Sequence, residues 1–149
     1  MELEQEIEIG GSLAAVWEAL NDPEVLQRSL PGCEAFDAVG ENAYEIRMVV
    51  KVGPVKAKFA GEIELSDIEP LVSYTISGSG KGGVAGFASG SAAVKLTEID
   101  PETTRLSYAV SAKVGGKLAQ LGARLVDGAA KKMAADFFAR FGDEINPPG

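Results

Sequence analysis

The sequence predicts an α+β fold in which a curved antiparallel sheet of about seven strands wraps its apolar face around a long C-terminal helix. Three observations support this fold: seven segments alternate apolar and polar residues, the links between consecutive segments after residue 33 are short, and the chain closes with a proline-free stretch rich in Ala and Leu. Short links favour antiparallel neighbours, because parallel strands need long crossovers. The 149 residues suit one domain, expected over 1–145, with 146–149 as a disordered end or the start of a truncated linker or tail.

The first strand and two short helices are specified locally. Leu3–Ile9 places Leu and Ile two or four residues apart between glutamates, which is typical of a strand with one buried face. After the glycine pair at residues 10 and 11, Ser12 is a suitable N-cap for a helix. Asp22 and Pro23 end that helix and begin a second one. We therefore expect two short helices directly after strand one.

Six further strands form the predicted meander. The glycine-rich residues 78–90 interrupt it and are predicted to be a flexible loop, because glycine is depleted in strands. Turns are expected at residues 53–54, 67–71 and 100–103. The six strands are expected at residues 33–39, 44–52, 55–65, 72–76, 91–99 and 104–114.

The closing stretch predicts one helix from Gly116 to about Phe141. Its apolar residues recur at steps of three and four, which is the spacing of one helix face. Small residues are frequent on this helix and at the facing strand positions, so the two layers either approach closely or leave an apolar cavity. The predicted apolar stripe is Leu118, Leu121, Leu125, Ala129, Met133, Phe137 and Phe141.

Large apolar and aromatic side chains at inward positions are the candidates to line such a cavity. Each of them is also suited to an ordinary core role, so the alternative of a filled core stays open. The candidate ligand-binding residues are Tyr44, Met48, Phe59, Tyr74, Phe87, Tyr108, Leu121, Leu125, Met133 and Phe137.

Composition excludes several kinds of chemistry. The chain has no His and one Cys, which excludes Ser-His-Asp and Cys-His catalysis, His-ligated metal and an intrachain disulfide. We predict no metal site, no catalytic residues and no covalently bound cofactor. Gly78–Gly83 matches a dinucleotide-binding motif, but a strand rather than the required helix follows it. The acidic N-terminus lacks the features of a secretory signal, so a cytoplasmic location is expected.

Charge is unevenly distributed despite the net charge of −8. In a meander alternate turns lie at the same end of the sheet, so residues 53–54, 80–86 and 114–116 share one rim, which we call the basic rim. The segments 51–58, 78–90 and 110–118 around it contain no acidic residue. This rim could hold only solvated strand ends, or it could form the cavity mouth and face an anionic membrane or acidic partner. The candidate mouth and docking residues are Lys51, Lys56, Lys58, Lys81, Val84, Lys113 and Lys117.

Four segments resemble the family of the carbon monoxide dehydrogenase G subunit, a branch of the START-like (SRPBCC) helix-grip superfamily. They are Leu30–Glu34, Gly53–Leu65, Gly78–Ala92 and Val114–Phe138. The resemblance spans about Leu3 to Phe141, and the two glycine-rich segments are specific to this branch.

The resemblance implies a function that the residues alone do not give. It implies an accessory protein of a molybdenum-hydroxylase-type carbon monoxide dehydrogenase that binds a lipophilic molecule, expected to be a respiratory quinone such as menaquinone. Such a protein would shuttle the quinone between membrane and dehydrogenase, link CO oxidation to the respiratory chain, and associate peripherally with the inner face of the cytoplasmic membrane. No contact with nucleic acid is expected.

Two alternatives remain open on the sequence. The protein could be a docking or assembly subunit that recruits the dehydrogenase to the membrane without carrying a ligand. It could also be an enzyme of the cyclase or hydratase kind, for which Tyr44, Tyr74 and Tyr108 are the obvious catalytic candidates.

Overall fold

A single seven-stranded antiparallel sheet organises the computed structural model, which describes residues 1–146. The second to seventh strands follow one another across the sheet as a meander, as the short links predict, and the first strand pairs with the seventh. Most of the tail expected at residues 146–149 lies outside the described residues. The strands are β1 (Glu2–Gly10), β2 (Cys33–Gly40), β3 (Ala43–Val52), β4 (Val55–Glu69), β5 (Ser73–Lys81), β6 (Phe87–Asp100) and β7 (Thr103–Gly115), and the helices are α1 (Leu13–Leu20), α2 (Pro23–Ser29), α3 (Lys117–Gln120) and α4 (Ala123–Ile145).

The two short helices begin at the predicted caps. The Ser12 hydroxyl accepts a hydrogen bond from the Ala15 amide at 3.1 Å, and the Asp22 carboxylate accepts one from the Glu24 amide at 3.0 Å. Each bond satisfies an amide that the first turn of a helix leaves without an intrahelical partner. Both N-caps predicted from the sequence are therefore confirmed.

The concave face of the sheet holds the main core. Cross-strand partners share a face, and the pairs Tyr74–Val94, Val94–Tyr108 and Leu96–Leu106 all point toward α4. Phe141 of α4 is fully buried against this surface. The C-terminal part of α4 therefore shares one core with β5, β6 and β7.

The glycine-rich segment 78–90 is mostly strand, and the prediction of a flexible loop there is wrong. β5 continues to Lys81 and β6 begins at Phe87, so the connection spans only residues 82–86. Gly78 pairs with Gly90 across the two strands. A Cβ on Gly90 would stand 2.6 Å from the Ser111 carbonyl oxygen on β7, so glycine here permits a close approach of neighbouring backbones.

The closing helix is interrupted, and the prediction of one continuous helix is wrong. Gly122 separates α3 from α4 and has φ +94°, a value that a helix cannot contain. Beyond the break α4 continues to Ile145, four residues past the expected end. An Arg28–Glu144 ion pair joins α2 to the end of α4, and the Asn146 amide donates a hydrogen bond to the Gly10 carbonyl.

Candidate ligand-binding cavity

A cavity of about 330 Å³ lies between the concave face of the sheet and α4, with α1 and α2 beside it. Its wall is almost wholly apolar, and its volume falls at the lower end of the range for small-molecule sites. Inward positions of every strand contribute, together with Ala130, Met133, Ala134, Phe137 and Phe138 of α4. Such a wall offers water few hydrogen-bond partners, whereas it suits contact with the surface of an apolar ligand.

Five of the ten candidate lining residues lie on the cavity wall. They come from three strands and from α4, and their large side chains form much of its aromatic surface. Their contact with a ligand stays a prediction. These five are Tyr44, Tyr74, Tyr108, Met133 and Phe137.

Three candidates from strands do not reach the cavity. Met48 is buried in a separate part of the interior. Phe59 packs against the backbone of Gly82, where an added Cβ would stand 2.7 Å from the ring. Phe87 is 52% exposed, because it pairs with Gly115 on the convex face of the sheet, so its inward placement was wrong.

The two candidates near the helix break are also misplaced. Leu121 lies in the break itself, outside the cavity wall. Leu125 is 46% exposed and lies against Gly53. A stripe that advances by four residues drifts by about 40° per step on a helix of 3.6 residues per turn, so Leu125 points away from the face that buries Phe141.

Sequence reasoning missed several wall residues. Leu3 and Phe36 occupy inward positions on the two edge strands. The alternation of apolar and polar residues along these strands was the signal that could have identified them. Phe138 follows Ala130 and Ala134 at steps of four, a second column beside the predicted stripe. A wider apolar face on α4 would have found it. The missed wall residues also include Leu20, Leu26, Leu30, Ile63, Leu65, Ile76, Leu106 and Val110.

Three tyrosine hydroxyls provide the polar groups of interest at this wall. The Tyr108 hydroxyl donates a hydrogen bond to Gln5 Oε1 at 2.6 Å, and burial raises its pKa. Tyr74 is 4% exposed, and its ring meets Trp17 edge-on at 5.6 Å between centroids. Burial, with a smaller effect of Tyr44, raises the pKa of Tyr74 well above its ordinary value. Both Tyr74 and Tyr108 are therefore protonated at neutral pH, which suits donation of a hydrogen bond rather than base catalysis.

The basic rim has the predicted composition, but its lysines point away from the cavity. All six are exposed, and Lys51 stands directly opposite Lys56 on the convex face. None of them takes part in the ion pairs found within residues 1–146. Val84, at the tip of the turn beside Lys81, is 85% exposed. Like charges directly opposite each other on a sheet are unfavourable, so an anionic surface would relieve this arrangement.

The cavity wall stops short of the basic rim. On β5 and β6 it ends at Ile76 and Ala92, and the next inward residues toward the rim are Gly78 and Gly90. The segment from Gly80 to Phe87, expected at the mouth, therefore contributes nothing to the wall. On these two strands glycine and alanine therefore occupy the inward positions between cavity and rim.

Two other features bear on possible chemistry. Cys33 is partly buried, its thiol donates to the Ala35 carbonyl at 3.3 Å, and burial raises its pKa, which disfavours the reactive thiolate. Across residues 1–146, His, Cys, Asp and Glu side chains form no group able to hold a metal ion. No helix in the same part of the chain has the length and apolarity needed to cross a membrane.

Solved structures share this architecture. A conserved protein from Geobacillus kaustophilus is 36% identical, with a TM-score of 0.93 over 98% of this chain and 95% of its own. The ZhuI aromatase/cyclase from Streptomyces sp. R1128 is 15% identical, with a TM-score of 0.70 over 98% of this chain and 93% of its own. A START superfamily protein from Mycobacterium smegmatis is 12% identical, with a TM-score of 0.70 over 97% of each chain. The fold is thus START-like, as the sequence predicts.

The family assignment comes from the sequence itself. No significant match was found among curated proteins. The profile of the family described as the G subunit of carbon monoxide dehydrogenase (CoxG) matches residues 6–146, which include all of the strands and helices except the start of β1. The chain therefore belongs to the family of the G subunit of carbon monoxide dehydrogenase (CoxG).

Proposed function

We propose that this protein is a non-catalytic accessory protein of a molybdenum-hydroxylase-type carbon monoxide dehydrogenase. It binds a respiratory quinone such as menaquinone in the apolar cavity and carries it between membrane and dehydrogenase, so that CO oxidation is linked to the respiratory chain. The observation that carries the proposal is the apolar cavity itself, which lies between the sheet and α4 in a chain of this family.

The volume of the cavity limits what it encloses. About 330 Å³ suits a bicyclic ring system with a short substituent, at the lower end of small-molecule sites. A long isoprenoid chain does not fit inside with the ring. The ring therefore occupies the cavity and most of the chain lies outside it, along apolar surface of the protein or in the membrane.

The basic rim supplies a membrane contact in this proposal. Each lysine close to an anionic leaflet contributes about 1 kcal/mol of attraction. Val84 and Phe87 add exposed apolar side chains beside Lys81. Such a combination of apolar tip and surrounding positive charge favours peripheral binding at the inner face of the cytoplasmic membrane.

The residues on the cavity wall support carriage rather than turnover. The chain contains no histidine, and the tyrosines whose pKa is raised are poor bases at neutral pH. The oxidation and reduction of the quinone then belong to the dehydrogenase and the respiratory chain, and the protein contributes binding and transport.

Ligand extraction tests this proposal. The protein is purified without detergent from a host that makes menaquinone, extracted with organic solvent, and the extract is analysed by mass spectrometry. A stoichiometric isoprenoid quinone is the expected result. A protein that neither carries nor takes up any isoprenoid quinone would overturn carriage. Capture of the dehydrogenase by that ligand-free protein would then favour the docking role.

A further inference from the structure

The Tyr74 hydroxyl is the most deeply buried of the tyrosine hydroxyls at the cavity wall. The side chain is 4% exposed, and its oxygen makes no hydrogen bond to any other described residue. Within residues 1–146, every fully enclosed side-chain nitrogen or oxygen has a partner, so the Tyr74 oxygen keeps some accessible surface. Tyr74 lines the cavity from an inward position on β5, where its side chain can meet a bound molecule.

Such a group has an energetic preference for a polar partner. A ligand that displaces water from this oxygen removes its interaction with water, so the ligand must offer an acceptor in return. The Tyr108 hydroxyl already has Gln5 as its acceptor. Among the described residues neither Tyr74 nor Tyr44 has an acceptor for its hydroxyl, and Tyr74 is the more deeply buried of the two, so its hydroxyl is the donor that we assign to a molecule in the cavity.

Resting on the proposed function, we infer that the Tyr74 hydroxyl donates a hydrogen bond to a carbonyl oxygen of the bound molecule. It thereby selects conjugated cyclic ketones and quinones over hydrocarbons of the same shape. A phenol hydroxyl also accepts hydrogen bonds, so the same group holds the hydroxyl of the reduced quinol. One carbonyl of a quinone ring thus faces β5, and the ring lies against the apolar wall toward α4.

Trp17 makes this inference measurable. It is the single tryptophan of the chain, and its ring contacts Tyr74 edge-on. Quenching of its fluorescence reports binding next to the hydroxyl. The probes are 2-methyl-1,4-naphthoquinone and 2-methylnaphthalene, which share ring shape but differ in the carbonyl groups.

Two matched variants each remove one hydroxyl from β5. Tyr74→Phe is expected to weaken binding of the naphthoquinone by roughly two- to twelvefold, the range for one neutral hydrogen bond, and to leave 2-methylnaphthalene unchanged. Ser77→Ala is the control, because it removes an exposed hydroxyl on the same strand, outside the cavity wall. We expect it to leave the preference for the quinone in place.

An infrared measurement on the unmodified protein avoids dependence on the folding of any variant. A hydrogen bond lowers the carbonyl stretching frequency, so bound 2-methyl-1,4-naphthoquinone should show one carbonyl band below its position in hexane. An unshifted band, or equal affinity of the wild type for both probes, would overturn the inference while quinone carriage stands. Absence of binding by either probe together with no quinone in the extract would overturn both.

Discussion

Gly86 and Gly116 meet backbone to backbone at the basic rim. A Cβ on Gly116 would stand 2.5 Å from the Cα of Gly86, and both residues have positive φ, +112° and +73°, with ψ near −150°. This region of backbone conformation is open in practice to glycine alone. The contact joins the turn between β5 and β6 to the start of α3.

We expect Gly116→Ala to destabilise the protein by about 2–4 kcal/mol, since it combines backbone strain with a clash against backbone that cannot move independently. Chemical denaturation monitored by circular dichroism measures this loss. Gly83→Ala is the matched control: Gly83 also has positive φ, at +61°, but nothing lies within 4 Å of an added Cβ. It should lose only about 1–2 kcal/mol, and equal losses in the two variants would show that the contact contributes nothing.

Gly128 offers the opposite outcome in the same structure. It lies in the interior of α4, it is exposed, and a Cβ added there would meet nothing within 4 Å. Gly128→Ala should raise the free energy of unfolding by roughly 0.5–1 kcal/mol, because alanine loses less conformational entropy in a helix. A lower denaturation midpoint would contradict this prediction, because it would mean that the added methyl group meets a neighbouring group at a position where the structure shows open space.

The parts of the fold that sequence reasoning predicted are encoded over a few residues. Strand alternation, the caps at Ser12 and Asp22 and the small number of residues between strands each depend on local chemistry. The glycine-rich strand ends escaped prediction, because their ladder depends on backbone hydrogen bonds to neighbouring strands rather than on side-chain preference. The helix break at Gly122 was not predicted either. One glycine inside an Ala-rich helix lowers helix stability by only about 1 kcal/mol, so an unbroken helix was the simpler expectation.

The cavity was harder to derive than the fold. Tyr74 and Tyr108 follow from alternation in regular strands, and the structure places both on the wall. Phe87 failed because it follows a tight turn, which resets the direction of the side chain, and Leu125 failed because the four-residue step drifts around α4 before it reaches Phe141. Assigning a face across such elements requires the tertiary contacts themselves.

Filling the cavity separates ligand binding from stability. Ala92 lines the cavity on β6, whereas its neighbour Ala93 points to the convex face. Ala92→Leu should greatly reduce the quinone recovered in organic extracts, because the larger side chain occupies the space of the ring. Its melting temperature should stay unchanged or rise. Ala93→Leu is the control and should retain the ligand; loss of quinone from both variants would attribute the effect to general disruption of the sheet.

The basic rim predicts binding to anionic vesicles. Lys56→Gln with Lys81→Gln should weaken binding to vesicles containing phosphatidylglycerol by roughly thirtyfold, since each lysine contributes about 1 kcal/mol near such a surface. Binding should fall as salt is raised and be absent with phosphatidylcholine alone. Vesicle sedimentation measures both effects.

A control for that experiment removes the same charge elsewhere. Lys95 lies on the convex face away from the rim, and Lys131 is exposed on α4. Lys95→Gln with Lys131→Gln should leave binding within about twofold of the wild type, as screening limits the reach of exposed charges to about 10 Å. Equal weakening by the two double variants would show that net charge, rather than the rim, governs attachment.

The buried Tyr74 phenol makes the fold sensitive to alkali. Its pKa is raised in the folded state by burial, whereas an unfolded tyrosine ionises near pH 10. Above that pH the unfolded state binds fewer protons than the folded state, so the free energy of unfolding falls as pH rises, by up to about 1.4 kcal/mol per pH unit. The stabilisation is fully present below about pH 10.

Tyr74→Phe removes this dependence on pH, and denaturation series at pH 7.5 and at about pH 11 would measure it. The variant should lose less stability between the two values than the wild type does. Some slope will persist, because burial also raises the pKa of Tyr108 and of Cys33. An identical slope in the two proteins would mean that the Tyr74 hydroxyl reaches water in the folded state, and would then also weaken its assignment as a buried hydrogen-bond donor to the ligand.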